Sequence, residues 1–102
     1  MSEEKLLHLL RKKKGFFEAI LELTESEEKL PLNDWVTVLE QKKILLSCVE
    51  EIDKELLPFK EMMHELSQEI VEELETIRKI VQQILDISDF NHDQRKNMFK
   101  MT

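Results

Sequence analysis

Apolar side chains recur every three or four residues along three stretches of this chain, which is the spacing of one face of an α-helix. We predict helices over about 3–28, 34–57 and 58–88, with 89–102 forming a tail or a short extra helix. This pattern predicts an all-α protein of one domain, 1–102, built as an antiparallel bundle of three long helices. The apolar faces comprise Leu6, Leu10, Phe17 and Ile20; then Trp35, Val38, Leu45, Val49, Ile52 and Leu56; then Phe59, Met63, Leu66, Ile70, Ile77, Ile80, Ile84 and Ile87.

The first predicted helix is apolar over well over a third of its circumference. Such a wide stripe predicts contact with two neighbouring helices rather than one. Gly15 interrupts this helix at a cost of about 1 kcal/mol relative to alanine, so we expect a kink or close packing there. The residues that widen the stripe are Leu7, Leu9, Phe16, Leu21 and Leu23.

A turn is predicted at Leu30-Pro31-Leu32, because the residue before a proline avoids the α region. Asn33 is the predicted N-cap of the second helix. We expect Trp35 to close this end of the core; the alternative is an exposed anchor for a partner. An antiparallel pairing about Pro31 makes residue i face residue 62 − i. This register places Leu10 opposite Ile52, Phe17 opposite Leu45, Ile20 opposite Lys42 and Thr24 opposite Val38.

The connection at Pro58 allows two architectures. The apolar repeat passes through the proline without a break, so one long, Pro-kinked second helix in a dimer is an alternative to the bundle. Proline also favours the first turn of a helix, and folding back buries the same residues within one chain. We favour the three-helix bundle.

Composition and charge restrict the function. A net charge of −7 argues against a nucleic-acid partner, which requires a basic face. We expect the basic run 11–14 to form a solvated face, with a docking patch as the alternative. No apolar stretch is long enough to span a membrane, and the lone Cys48 fits a reducing compartment, so we expect a cytoplasmic protein.

Few residues have the spacing of a chemical site. Glu61 and His64 match the Glu-x-x-His spacing of di-iron bundles, but the predicted register turns both toward solvent. Cys48 is expected to be a small buried residue, and the single glycine excludes a glycine-rich phosphate loop. We therefore expect no enzyme activity, no cofactor and no metal site. A second metal candidate, also not expected to bind an ion, comprises Asp86, Asp89, His92 and Asp93.

Residues 16–53 resemble the first hairpin of the small flagellar export chaperones of the FliT and FlgN type. The resemblance is carried by the phrase ILELTE at 20–25, the pair Asp34-Trp35 and the phrase LEQKKILL at 39–46. Three additional residues at the break, 30–32, and the lack of an obvious loop at Pro58 depart from that family's pattern. The resemblance implies cytoplasmic binding of the C-terminal helix of a flagellar or type III secretion substrate, without ATPase activity.

Two functions follow as hypotheses. The first is an export chaperone that keeps its protein substrate unassembled until export. The second is a structural coiled-coil adaptor or scaffold that self-associates, for which a homodimer is the simplest form. The third helix has more apolar surface than a bundle needs, and we expect its surplus to bind the partner helix. The predicted partner-binding residues are Val71, Leu74, Val81 and Leu85, with Met98 and Phe99 of the tail able to cover them.

Overall fold

The computed structural model describes residues 3–62 and 66–100, with side chains described for 3–61 and 66–91. Three α-helices account for most of the chain: α1 is Glu3–Ser26, α2 is Leu32–Leu56 and α3 is Gln68–Lys100. A 3₁₀ turn, Glu27–Lys29, follows α1, and another, Leu57–Met62, follows α2. The described residues contain no strand, so the predicted all-α class with three helices is confirmed.

Helix α1 is the central element of the bundle. Its backbone approaches both α2 and α3 closely, whereas α2 and α3 come close to each other far less. Helix α2 runs antiparallel to α1, and α3 runs parallel to it, so that Arg11 meets the start of α3 and Thr24 meets Asn91. The wide apolar stripe of α1 is thus covered on two sides, as expected. The main core cluster comprises Leu6, Leu9, Leu10, Ile52, Phe59, Ile70 and Ile77.

The chain folds back after α2, which rules out the alternative of one long, Pro-kinked helix. Pro58 lies in the exposed part of the second 3₁₀ turn, and the next residue, Phe59, is only 2% exposed within the core. Helix α3 begins at Gln68, ten residues later than predicted. Ser67 caps it, since its Oγ accepts the backbone N–H of Ile70 at 3.4 Å.

Helix α2 begins at Leu32, two residues earlier than predicted. Pro31 has an extended backbone, and its carbonyl oxygen accepts the N–H of Trp35 at 3.0 Å. Helix α2 therefore starts at Leu32, and Asn33 lies within its first turn instead of capping it. Trp35, in the first turn of α2, is half-buried.

Helix α3 does not end near Ser88 as predicted. Its backbone continues to Lys100, giving 33 residues, about 50 Å of helix in a molecule 57 Å long. Asn91 explains part of this extension, because its buried side chain hydrogen-bonds to α1 and holds the helix there. None of the helices, over the residues described, is long and apolar enough to cross a membrane.

Gly15 does not show the close packing that we expected. Helix α1 continues through it, the residue is exposed, and a Cβ atom built there would have no neighbour within 4 Å. The glycine therefore adds flexibility to the unfolded chain without a packing benefit in the folded one.

Replacing Gly15 with alanine should therefore raise the free energy of unfolding by about 0.5–1 kcal/mol. Urea denaturation followed by circular dichroism measures the difference. Ala19→Gly in the same helix is the reverse control and should lower stability. A neutral or destabilising Gly15→Ala would show that Gly15 has a role in the native state that its open surroundings do not reveal.

Candidate functional site

The four predicted partner-binding residues of α3 occupy two depths of one surface. Val71 and Leu85 are 39% and 51% exposed. Leu74 and Val81 are half-buried and pack against the core cluster. Val71 and Leu85, the outer pair, are thus exposed to solvent, and Leu74 and Val81, the inner pair, lie between them and the core. We call these four residues the α3 surface.

Val71, at the N-terminal end of the α3 surface, lies away from α1. Glu69 and Glu73 of the same helix form ion pairs with α1, and Val71 is turned by about 200° from Glu69 around the helix axis. From Val71 to Leu85 the surface extends about 21 Å, the length of four helical turns. Arg78 lies between them and forms an exposed ion pair with Glu75 at 3.1 Å.

Met98 and Phe99, which we predicted could cover this surface, lie near the end of α3. Their side chains lie outside the described ones, but their backbone belongs to α3. Because the helix continues without a turn, Met98 is about 20 Å along the axis from Leu85. A tail that folds back over the α3 surface is therefore not the observed conformation.

A buried polar cluster that the sequence analysis did not predict joins all three helices near the first turn. Glu27 is 4% exposed, and its Oε1 forms an ion pair with the ammonium group of Lys42 on α2. Asn91 of α3 donates from Nδ2 to Glu27 Oε2 at 3.4 Å and to the carbonyl oxygen of Thr24 at 3.2 Å. We call Thr24, Glu27, Lys42 and Asn91 the polar cluster.

The polar cluster fixes how the helices align. The predicted register placed Ile20 opposite Lys42. In the structure Lys42 instead pairs with Glu27, which lies about two helical turns closer to the connection between α1 and α2. The orientation of the Asn91 amide follows from its two acceptors, because a flipped amide would turn its oxygen toward a carbonyl and a carboxylate. Its Oδ1 has no hydrogen-bond partner in the described part of the chain.

The basic run 11–14 connects α1 to its two neighbours; Arg11 and Lys12 are exposed, as expected of a solvated face, whereas Lys13 and Lys14 are half-buried. Arg11 pairs with Glu69 at 2.9 Å, and Lys14 pairs with Glu73 at 2.9 Å. Lys13 pairs with Asp53 of α2 at 2.6 Å. The remaining residue, Lys12, is exposed.

The metal candidates do not assemble among the described residues. Glu61 is exposed, while His64 lies outside the described residues. Asp86 and Asp89 are exposed, and the side chains of 92–93 lie outside the described ones. In that part of the chain no three His, Cys, Asp or Glu side chains are placed to hold one ion. Cys48 is half-buried with a free thiol, so it is more exposed than expected.

A shallow depression near the end of the hairpin is open to solvent and has a volume of about 470 Å³. Acidic side chains dominate its rim, and Phe90 contributes an exposed aromatic ring. An open depression of this kind encloses too little of a small molecule to resemble a ligand pocket. It is lined by Glu25, Glu28, Lys29, Asp86, Ile87 and Phe90.

A further apolar surface, also missed by the sequence analysis, lies on α2. Its members are large aliphatic side chains that are all at least 39% exposed. These side chains follow a seven-residue repeat, one residue later than the residues of α2 that pack on α1. This repeat is visible in the sequence and could have predicted the surface. We call this line the outer seam; it comprises Leu32, Val36, Leu39 and Leu46, followed by Leu57 in the second 3₁₀ turn.

Removing the ammonium group of the polar cluster should destabilise the fold strongly. Lys42→Ala takes the cation from a carboxylate whose side chain is 5% exposed, and we expect a loss of about 3–5 kcal/mol. Lys13→Ala is the matched control, since Asp53 is 49% exposed and its pair should contribute less than about 1 kcal/mol. Chemical denaturation compares the two. Equal losses would contradict a special role for the buried pair.

The arrangement leaves exposed apolar side chains on both α2 and α3. Comparisons with known protein-family models, with curated proteins and with solved structures find no match. We therefore infer the function from the residues and their geometry.

Proposed function

We propose that this protein is a cytoplasmic export chaperone that binds an amphipathic helix of another protein on its α3 surface. The observation that carries this proposal is the exposure of Val71 and Leu85 above the half-buried Leu74 and Val81. Because the half-buried pair packs against the core, the exposed pair is held in a fixed position on the helix. An amphipathic helix with apolar residues every three or four positions fits such a support.

The charges around the α3 surface favour a partner with basic flanks. Asp86 and Asp89 are exposed near Leu85, whereas Glu75 is already paired with Arg78. The protein as a whole carries a net charge of −7. Opposite charges at the rim of an interface mainly raise the association rate and select the partner, while the buried apolar centre supplies most of the affinity.

The resemblance to flagellar export chaperones makes the proposal specific. Its phrases fall on the second half of α1 and on α2, and the structure forms them into one helical hairpin. The three additional residues 30–32 are accommodated at the connection between these helices. The chain also turns at Pro58 and adds a third helix, so the second departure from the pattern does not prevent a bundle. The partner is then the C-terminal helix of a flagellar or type III secretion substrate, held unassembled until export.

Polar substitution of the outer pair should weaken binding without unfolding the bundle. Val71→Ser with Leu85→Ser removes the exposed anchors, and we expect at least about a tenfold loss of affinity. Both side chains are already substantially exposed, so the midpoint of thermal unfolding should change little. Isothermal titration with C-terminal peptides of flagellar export substrates measures the affinity.

Ile44→Ser is the matched control, because Ile44 is 65% exposed on α2, outside both the α3 surface and the outer seam. It should bind the peptides as the parent does. Unchanged binding by the double serine variant would move the site elsewhere, and a collapsed melting temperature would identify Val71 and Leu85 as core residues. Truncation tests should retain Asn91, since cutting after Ser88 would also remove part of the polar cluster.

A further inference from the structure

We propose that residues 84–91 of α3, which we call the distal segment, unfold locally while the rest of the bundle stays folded, and that Asn91 holds them closed. The first reason is the position of the main core cluster. Counting the half-buried side chains packed against it, its members from α3 end at Val81. Its members from α1 end at Phe17. The distal segment and the last two turns of α1 therefore lie outside it.

Burial along α3 falls at the same place. Ile70 and Ile77 are 1% and 7% exposed. In the distal segment, Ile84 and Ile87 are only half-buried, and the ring of Phe90 is exposed. Segments with few buried apolar side chains open at a lower free energy than the core of the same protein. The distal segment thus has less apolar burial to resist opening.

The open depression described above lies along the distal segment. It is lined from both sides, by Glu25 and Glu28 at the end of α1 and in the turn after it, and by Asp86 on the distal segment. Asp86 accepts its hydrogen bond from Gln82 of its own helix, at 3.0 Å, rather than from the hairpin. Close packing, which holds helices together elsewhere in the core, is therefore absent along this edge of the described structure.

Asn91 is the one fully buried side chain of the distal segment. Its Nδ2 donates to the carbonyl oxygen of Thr24 in the last turn of α1, where carbonyl groups lack partners within the helix. It also donates to the carboxylate of Glu27, and hydrogen bonds to charged groups are stronger than those between neutral groups. The attachment of the distal segment to α1 thus depends on one polar side chain.

The closed state also carries a cost that opening removes. Asn91 Oδ1 is buried without a hydrogen-bond partner in the described part of the chain, so closing strips it of water without compensation. When the segment opens, water can hydrate this oxygen. Glu27 keeps its ion pair with Lys42, because both belong to the α1–α2 hairpin. Local opening is therefore much less costly than unfolding the whole bundle.

Local opening has a consequence for partner binding that rests on the proposed function. Leu85, one of the two exposed anchors of the α3 surface, lies on the distal segment, whereas Val71 lies beside the main core cluster. A helix bound across both anchors requires the segment to be folded. Because such a ligand binds the closed form alone, it should suppress the opening.

Native-state hydrogen exchange of the full chain tests the opening itself. After correction for intrinsic rates, distal amides should exchange at least about tenfold faster than those of Ile70 and Ile77. Their exchange should change little with urea below the unfolding transition, because a local opening exposes little surface. The amides of Ile70 and Ile77 should respond steeply, since they exchange through global unfolding. Equal protection and equal urea dependence along α3 would overturn the proposal.

An isosteric substitution tests the role of Asn91. Asn91→Asp replaces the donor with a carboxylate that faces the Thr24 carbonyl and the Glu27 carboxylate, so distal exchange should rise at least about tenfold. Gln83→Glu is the matched control, because it adds the same charge at an exposed position beside the segment. It should change distal exchange less than about twofold. Unchanged exchange in Asn91→Asp, or an equal rise in both variants, would show that Asn91 does not hold the segment.

The coupling to partner binding is tested with the same C-terminal peptides of flagellar export substrates. A peptide that binds by calorimetry should slow distal exchange in proportion to its occupancy. Binding that leaves distal exchange unchanged would contradict the coupling. If the peptides do not bind at all, the proposed function fails, while the exchange of the free chain still decides whether the distal segment opens.

Discussion

The rest of the structure depends on one constraint, the two-sided apolar surface of α1. A helix with such a broad stripe cannot bury it against a single neighbour, so both remaining helices must pack on it. The chain meets this requirement by turning twice, once at Pro31 and once at Pro58. Placing α1 in the centre also explains why α2 and α3 remain less close to each other and keep their outward faces accessible.

Apolar packing alone would leave the helices able to slide by a turn, because Leu, Ile and Val are similar in shape. Polar contacts remove that freedom. The Glu27–Lys42 pair is buried and requires one alignment of α1 with α2, and Asn91 adds α3 to the same point. Near the other end, Arg11 and Lys14 pair with the first turns of α3. Buried charge is costly unless paired, so a shifted register would lose much more than the pair contributes when intact.

Two apolar surfaces remain exposed in the bundle, one on α2 and one on α3. The α3 surface has two exposed anchors over a packed support and acidic neighbours, which suits a foreign amphipathic helix. The outer seam of α2 is longer, and charged residues occupy three positions of its repeat, Lys43, Glu50 and Asp53.

The sequence by itself determined the helical class, the three helices and the wide stripe of α1. The reason is that apolar side chains recur every three or four positions, which matches the 3.6 residues in each turn of an α-helix. Helix boundaries were less accessible. Pro58 lies in an unbroken repeat, and Ser67 begins α3 through a cap that is recognised only once the turn is known. The tertiary structure alone decided the roles of residues whose partners are distant in the chain. Glu27 and Asn91 are polar in sequence and buried in the fold, and the basic run pairs across helices rather than along one. These outcomes depend on desolvation and on distances between helices, which no local pattern of residues contains.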